Sequence, residues 1–325
     1  MAVTCRALLL IAAVSLPAIA QAPPTPLATS AASDDSVVEA TSLLGEKLLR
    51  PSPTGDARAA MLARWAEAAR AFKSAPNNAD SIIWLGRRTA YLGRFNEAIE
   101  IFTRGISLHR NDARMLRHRG HRYITTRQLD KAMADFEKAY ELTRNEPDQV
   151  EPDGLPNARN IPTSTLKSNI RYHLGLTHYL KGDFAKAARF YAEDVAAAVN
   201  PDMHVASAHW LYMSLRRMDK REEAEKVLVP ITPKLDVIEN TAYHRLLLMY
   251  KGELEPADLL PGQNTASLEN VTAAYGVANW HLYNGRKEEA RKLFEQIAAT
   301  KAQWPSFGYL AAEAELARTQ PRARR

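Results

Sequence analysis

Residues 79–142 decide the fold and read ADSIIWLGRRTAYLGRFNEAIEIFTRGISLHRNDARMLRHRGHRYITTRQLDKAMADFEKAYEL. The second half of this stretch aligns with the first when it is shifted by 34 residues. The aligned pairs are Gly86 with Gly120, Ala98 with Ala132, and Phe102 with Phe136. A period of this length predicts one supersecondary unit that recurs along the chain.

A looser form of this pattern recurs at three later places, where every copy has alanine and then a large residue, and one copy has tyrosine at its first position. Its further copies are Gly175, Ala187 and Tyr191; Tyr212, Ala224 and Leu228; and Ala278, Ala290 and Phe294. The first two positions lie 12 residues apart in every copy. Small side chains at matched places predict two helices that cross closely, at about 8–10 Å. Gly93, Gly182 and Gly285 fall in the turn between the helices, where a positive φ favours glycine.

The period that carries Trp84-Leu85-Gly86, then Ala98, then Phe102 resembles the tetratricopeptide repeat (TPR). The resemblance implies an all-α fold, a right-handed solenoid of antiparallel helix pairs (a TPR-like superhelix). It also implies a protein-interaction scaffold or adaptor rather than an enzyme. Ligands of TPR proteins usually lie on the concave face, which the first helix of each pair forms.

The spacing of the copies predicts the organisation of the whole chain. We expect a signal peptide (1–20), a flexible leader (21–34), N-terminal capping helices (35–78), two clean repeats (79–142), an acidic proline-rich insertion loop (143–163), two further TPR-like repeats (164–230), a degenerate helix pair (231–268), a TPR-like repeat (269–300), and a C-terminal capping helix with a basic tail (301–325). Within the N-terminal part, helices are predicted at Val37–Leu49 and Asp56–Lys73.

The N-terminus has the features of a secretory signal peptide. Arg6 precedes a short apolar run that ends in an A-x-A site at Ala20. The run is shorter than the ~20 residues of a membrane span. We therefore expect cleavage after Ala20, no membrane span afterwards, and a periplasmic or secreted protein of the exported bacterial TPR type; an uncleaved anchor is the alternative. Cys5, the only cysteine, would leave with the signal, and no thiol chemistry would remain.

The insertion of residues 143–163 contains four prolines and the acids Glu146, Asp148, Glu151 and Asp153. A loop of this length in a compact protein is often functional. Two interpretations stay open. The loop is a passive spacer, or it folds back over the groove of basic residues that the concave face is expected to form.

Positions on the concave face carry mostly arginine, tyrosine and histidine. The predicted partner-binding residues are Arg87, Tyr91, Arg114, Arg117, His121, Tyr172, Tyr179, His209, Arg216, Arg217, Tyr275 and Asn279. Arginine makes forked hydrogen bonds to carboxylates, and tyrosine adds contact area at low entropic cost. The pattern predicts a protein or peptide partner, specifically an acidic or carboxylate-bearing segment.

Motifs for phosphate, dinucleotide, calcium or hydrolytic chemistry do not occur. His118 and His121 share a helix face, but the arginines around them disfavour a cation. We therefore expect no metal and no cofactor.

Two other classes of function remain as alternatives. A peptidoglycan- or glycan-binding module would use Trp84, Trp210 and Trp280 as stacking platforms. A nucleic-acid binder would use the basic run 117–127, and export argues against it. The net charge of +6 is too moderate to indicate nucleic acid by itself.

Overall fold

The computed structural model describes residues 36–51, 53–260 and 267–320. The proposed signal peptide, the leader and the last five residues of the basic tail lie outside these ranges. In the described part the chain is mostly helical, with little strand, which confirms the all-α class. The helices are α1 (Gly55–Ser74), α2 (Ala79–Tyr91), α3 (Phe95–Leu108), α4 (Ala113–Thr125), α5 (Leu129–Thr143), α6 (Leu166–Lys181), α7 (Phe184–Ala196), α8 (Pro201–Arg217), α9 (Arg221–Leu228), α10 (Thr241–Tyr250), α11 (Pro256–Leu259), α12 (Leu268–Tyr283), α13 (Lys287–Ala299) and α14 (Phe307–Thr319).

The matched small residues lie where paired helices cross. A Cβ atom added to Gly86 would lie 2.5 Å from the ring of Phe102. The corresponding distance is 2.9 Å from Gly120 to Phe136, and 3.0 Å from Gly175 to Tyr191. Each glycine on a first helix therefore makes room for the aromatic ring of the second helix of its own pair.

The turns between the paired helices share one backbone conformation. Gly93, Gly182 and Gly285 have φ values of 78°, 83° and 85°, as the sequence predicts. Arg127 and Asp219 occupy the same place in the second and fourth pairs with φ values of 63° and 59°. A left-handed conformation costs a residue with a Cβ atom roughly 1–2 kcal/mol, so these two turns are locally less favourable than the glycine turns.

Successive helices pack in antiparallel pairs, and the first helices of the pairs also contact one another. Helix α2 packs on α4, α4 on α6, and α6 on α8. Helix α12 packs on both α8 and α10. This arrangement places the first helices side by side along one face, the inner face of the stack. None of the described helices is both long and apolar enough to cross a membrane.

The helix predicted at Val37–Leu49 is wrong, because this segment forms a β-hairpin. Strand β1 (Val38–Thr41) pairs antiparallel with β2 (Lys47–Leu49). The Oγ atom of Ser42 accepts two backbone N–H bonds inside the turn, and Gly45 adopts a φ of 87°. Such local bonds compete with a helix, and apolar spacing alone did not reveal them.

The hairpin is anchored to α3 by a buried carboxylate. Glu39, 3% exposed, accepts hydrogen bonds from Arg50 Nε (2.8 Å), Asn96 N (3.0 Å) and Asn96 Nδ2 (3.1 Å). The backbone N–H of Asn96 is one of the donors at the start of α3 that have no partner within the helix. Glu39 therefore caps that helix from the hairpin.

The C-terminal helix α14 reaches back to the first half of the chain. Its Glu313 forms a buried ion pair with Arg127 (2.7 Å), and its Glu315 pairs with Arg217 on α8 (2.5 Å). Arg318 Nη2 donates to the carbonyls of Tyr179 and Leu180 at the end of α6. Helix α14 therefore joins helices that lie far apart in the sequence, besides following α13.

Candidate functional site

A cavity of about 670 Å³ lies on the inner face. Residues of α4, α6, α8, α10 and α12 form its walls, together with the start of α14 and part of the 143–163 loop. Three residues of the predicted groove line it: Arg117, His121 and Tyr172. The loop and α14 thus leave a pocket where the sequence predicts an open groove.

The 143–163 loop lies over the arginines of the first two clean repeats. Arg117 Nε forms an ion pair with Glu151 Oε2 at 2.9 Å. Arg87 Nη2 donates to the carbonyl of Pro152 (2.8 Å), and Arg88 Nη1 donates to the carbonyl of Gly154 (2.5 Å). The loop therefore folds back over the predicted basic surface, and the passive-spacer alternative is not what the structure shows.

Gly154 is required where the loop meets the inner face. A Cβ atom at this residue would lie 1.7 Å from the hydroxyl oxygen of Tyr91. Tyr91 is therefore covered by the loop as well, and its hydroxyl lies 3.4 Å from Arg87 Nη2. Arg87, Tyr91 and Arg117 form a single patch that the acidic loop occupies.

Arg122 belongs to the same patch and was missed by the sequence prediction. Its guanidinium lies over the ring of Phe95 at 5.4 Å, and among the residues that the structure describes it has no ion pair or hydrogen bond. Burial, together with the charges of Arg117 and Arg87, lowers the pKa of Arg122 to about 10. Arg87, Arg117 and Arg122 are called the arginine patch below.

At the opposite end of the inner face the predicted arginines are also engaged. Arg217 pairs with Glu315 of α14. Arg216 Nη2 donates to Asn284 Oδ1 (2.9 Å), and its guanidinium lies 4.4 Å from the centre of the Tyr283 ring. Arg114 lies away from the cavity, where it pairs with Asp80 and Asp112. None of these three guanidiniums lines the cavity.

Four predicted groove residues are in the core, which corrects the prediction. Tyr179, Tyr275, His209 and Asn279 are at most 1% exposed. The hydroxyl of Tyr275 donates to that of Tyr179 at 2.8 Å, and this bond joins α12 to α6. The reason is that the first helices pack directly on one another, so positions assigned to an open face are covered by the neighbouring helix.

The cavity contains carboxylates that the groove prediction did not include. Asp153, Asp202 and Glu239 line it. The carboxylate of Asp202 accepts the backbone N–H groups of Ile238, Glu239 and Asn240 at 2.8–2.9 Å and is thereby satisfied. Glu239 accepts from Asn157 Nδ2 and Thr163 Oγ1, both neutral donors. Glu239 lies in an irregular segment, and no periodic pattern in the sequence points to it.

The histidines beside the cavity are neutral. Burial, followed by the charges of nearby arginines, lowers the pKa of His118 and of His173 well below the usual value. Burial, with the charge of Arg122, does the same to His121. Within the described ranges no three His, Cys, Asp or Glu side chains are grouped as a metal site.

The residues behind the two alternative functions are also accounted for. Trp210 is 1% exposed, and guanidinium groups lie over the rings of Trp84 (Arg87, 4.5 Å) and Trp280 (Arg286, 4.2 Å). In the basic run 117–127, ion pairs engage Arg117, Arg119 and Arg127. The tryptophans are packed side chains, and most of this basic run is neutralised within the chain.

A comparison with protein-family models agrees with the helix pairs described above. Residues 113–146 match the family model described as tetratricopeptide repeat. These residues contain α4 and α5 in full. A comparison with curated proteins gave no match.

Two solved structures are similar to this chain at low identity. One is YrrB, described as a TPR protein with an unusual peptide-binding site; identity is 14%, coverage is 77% of this chain and 97% of YrrB, and the TM-score is 0.41. The other is a Podosopora anserina protein of nearly identical TPR-like repeats, named after kinesin light chain; identity is 16%, coverage is 70% and 97%, and the TM-score is 0.41.

The chain is a stack of helix pairs whose first helices form one inner face, and this is the architecture of a helical-repeat scaffold. One pair, residues 113–146, matches the family model, and two further pairs keep its glycine–aromatic crossing, so the chain contains tetratricopeptide-repeat units. Proteins of this family are generally non-enzymatic scaffolds, and the fold supports a role in protein–protein interaction.

Proposed function

We propose that this chain is a protein-interaction scaffold that binds an acidic or carboxylate-bearing segment of its partner on the arginine patch. The observation that carries the proposal is the chain's own acidic loop, which occupies the patch as a peptide ligand would. Its Glu151 carboxylate meets Arg117, and its carbonyl groups accept from Arg87 and Arg88.

Arg122 gives a partner segment an advantage over the loop. A tethered loop has a high effective concentration, so a partner must offer contacts that the loop does not make. A second carboxylate placed against Arg122 would supply such a contact, because charge-assisted bonds to guanidinium are among the stronger hydrogen bonds. We therefore expect the partner segment to carry at least two carboxylates.

The test removes the loop from the arginine patch and supplies the loop sequence as a separate peptide. In one variant, residues 151–156 are replaced by six alternating Gly and Ser residues, which keeps the chain length. A fluorescent peptide with the sequence of residues 146–156 (EPDQVEPDGLP) is then titrated into this variant, and its anisotropy is measured. We expect saturable binding, weakened by added salt.

Matched controls define the outcome. A peptide with Gln and Asn in place of its four acids should bind at least tenfold more weakly. Arg117→Gln should weaken binding of the acidic peptide, because Glu151 pairs with Arg117, whereas Arg189→Gln, on the exposed surface of α7, should not. Equal binding of the acidic and neutral peptides, or no effect of Arg117→Gln, would contradict the proposal.

We also propose that the chain is exported and cleaved after Ala20, which lies outside the described residues. The support is the pattern of Arg6, the apolar run and the A-x-A site. N-terminal sequencing of the protein from a bacterial envelope fraction tests it, with Gln21 expected as the first residue. A chain that stays in the cytoplasm with its first 20 residues intact would contradict it.

A further inference from the structure

We propose that the inner-face cavity binds an organic cation, a primary ammonium or guanidinium group, between Asp153 and Glu239. The inference concerns the chain with its 143–163 loop in place. It is therefore independent of the proposed function, in which a partner displaces that loop.

The charges around the cavity do not balance. Its lining includes one arginine, Arg117, and Glu151 already pairs with that residue. Asp202 is satisfied by backbone N–H groups. Glu239 has neutral donors only, and Asp153 has no hydrogen bond or ion pair with any residue that the structure describes. Neither carboxylate therefore forms an ion pair with a cation in the described part of the chain, and the only positive charge that acts on Asp153 is that of Arg87, without a direct contact.

The two carboxylates also act on one another. Burial, followed by the charge of Glu239, raises the pKa of Asp153 above its usual range. A bound cation would remove the repulsion between the two carboxylates and would supply the hydrogen-bond donor that Asp153 lacks. The same two groups would repel an anion, so the cavity and the arginine patch differ in ligand class.

His173 adds a buried, unpaired hydrogen-bond acceptor to the wall of the cavity. This side chain lines the cavity and is 3% exposed. Its Nδ1 atom lies 2.6 Å from the carbonyl oxygen of Asn169, which only accepts, so Nδ1 carries the proton. The opposite atom, Nε2, is therefore a lone-pair acceptor, and it is buried without a partner. An ammonium or guanidinium N–H is the kind of donor that this atom needs.

The remaining wall is aromatic. Tyr172, Tyr243 and Phe307 line the cavity, and the rings of Tyr172 and Phe307 lie 6.1 Å apart. The Tyr172 hydroxyl accepts a hydrogen bond from Trp210 Nε1 (2.7 Å) and lies 3.1 Å from the Tyr243 hydroxyl, so both hydroxyl groups have partners within the wall. Aromatic faces attract cations and also cover the alkyl chain that carries them.

Two sources could supply this cation, a free amine or the side chain of a basic residue in a peptide. The experiment uses the full chain and isothermal titration calorimetry with n-butylammonium, agmatine, and the capped peptide acetyl-Gly-Lys-Gly-amide. The neutral isostere n-butanol and the capped peptide with norleucine in place of lysine are the controls. Binding of the free amines identifies a small-molecule site, and binding of the lysine peptide alone identifies a basic side chain.

Substitutions assign the binding to this cavity. Asp153→Asn and Glu239→Gln remove one negative charge each and keep the shape of the side chain, and each should weaken cation binding at least tenfold. Glu146→Gln removes the same charge from an exposed position of the same loop and should leave binding unchanged. Far-UV circular dichroism verifies that each variant folds. If no cationic probe binds, or the neutral isosteres bind equally well, the proposal is overturned.

Discussion

At the residue scale, the fold depends on the absence of a side chain at a few positions. Gly86, Gly120 and Gly175 each face the aromatic ring that follows 16 residues later on the partner helix. Glycine inside a helix costs about 1 kcal/mol relative to alanine. The close packing of the ring against each glycine offsets this cost.

We predict that Gly86→Ala destabilises the protein. The new Cβ atom would lie 2.5 Å from the Phe102 ring, inside van der Waals contact. Overpacking costs typically 1–3 kcal/mol, and the gain in helix propensity returns up to about 1 kcal/mol. We therefore expect a net loss of about 1–2 kcal/mol in the free energy of unfolding, measured by urea denaturation.

The combination of Gly86→Ala with Phe102→Leu provides the control. Because the two residues touch, their effects should not add, and the double variant should be more stable than the sum of the single effects predicts. Additive effects would show that the glycine does not make room for the ring.

At the scale of elements, two segments have roles that their own sequences conceal. The β-hairpin of residues 38–49 uses Glu39 to cap α3. Helix α14 carries two acids that pair with Arg127 and Arg217, arginines of distant helix pairs. Arg127 keeps a left-handed backbone conformation that favours glycine, and its ion pair with Glu313 explains why arginine is found there.

We predict that Glu313→Ala is strongly destabilising. The side chains of Arg127 and Glu313 are 3% and 1% exposed, so the substitution leaves a buried guanidinium without its counter-charge. Breaking a buried pair on one side costs about 3–5 kcal/mol. Thermal and urea denaturation should both show the loss.

Glu295→Ala is the matched control, because the pair of Arg291 and Glu295 lies on the surface of α13. Exposed pairs contribute about 0–1 kcal/mol. Equal effects of the two substitutions would mean that α14 is not held by its buried ion pair.

At the scale of the whole molecule, the stacked inner helices enclose neutral histidines. Burial lowers the pKa of His118, His121 and His173, and burial lowers that of His209 to about 3. Because folding depresses these pKa values, the unfolded chain binds more protons at mildly acidic pH. Their contribution to stability is complete above pH 6.5 or so and is lost as the pH falls below it.

We predict a steep loss of stability between pH 7.5 and 5.5. Each imidazole that stays neutral in the folded state lowers the free energy of unfolding by about 1.4 kcal/mol at pH 5.5. The four together therefore lower it by roughly 4–6 kcal/mol. Carboxyl groups titrate mostly below this range. Urea denaturation at several pH values measures the slope.

His209→Phe tests the origin of the slope. His209 stacks on Tyr243 and Tyr250, with ring centres 4.7 and 5.8 Å away, so phenylalanine can keep the stacking. Between pH 7.5 and 5.5, the free energy of unfolding of the variant should fall by about 1.4 kcal/mol less than that of the parent protein. Comparison at pH 7.5 measures the packing effect separately. An unchanged slope would exclude His209 as a contributor.

The sequence alone determined the helix pairs and most of their turns. These features depend on local spacing, because a close crossing demands a small residue and a large one at fixed separations along the chain. Gly86, Ala98 and Phe102 could therefore be recognised in one repeat and matched in the others. The spacing of apolar residues did not predict the hairpin, because local hydrogen bonds to Ser42 stabilise its turn.

Only the tertiary structure decided which inner-face residues are available. Tyr179 and Tyr275 lie 96 residues apart yet share a hydrogen bond in the core, and Arg117 meets its carboxylate in the loop. Glu239 reaches the cavity from a segment without any periodic signal. The physical reason is that charge pairing and burial depend on distances in space, which the repeat spacing constrains within a helix pair but not between distant segments.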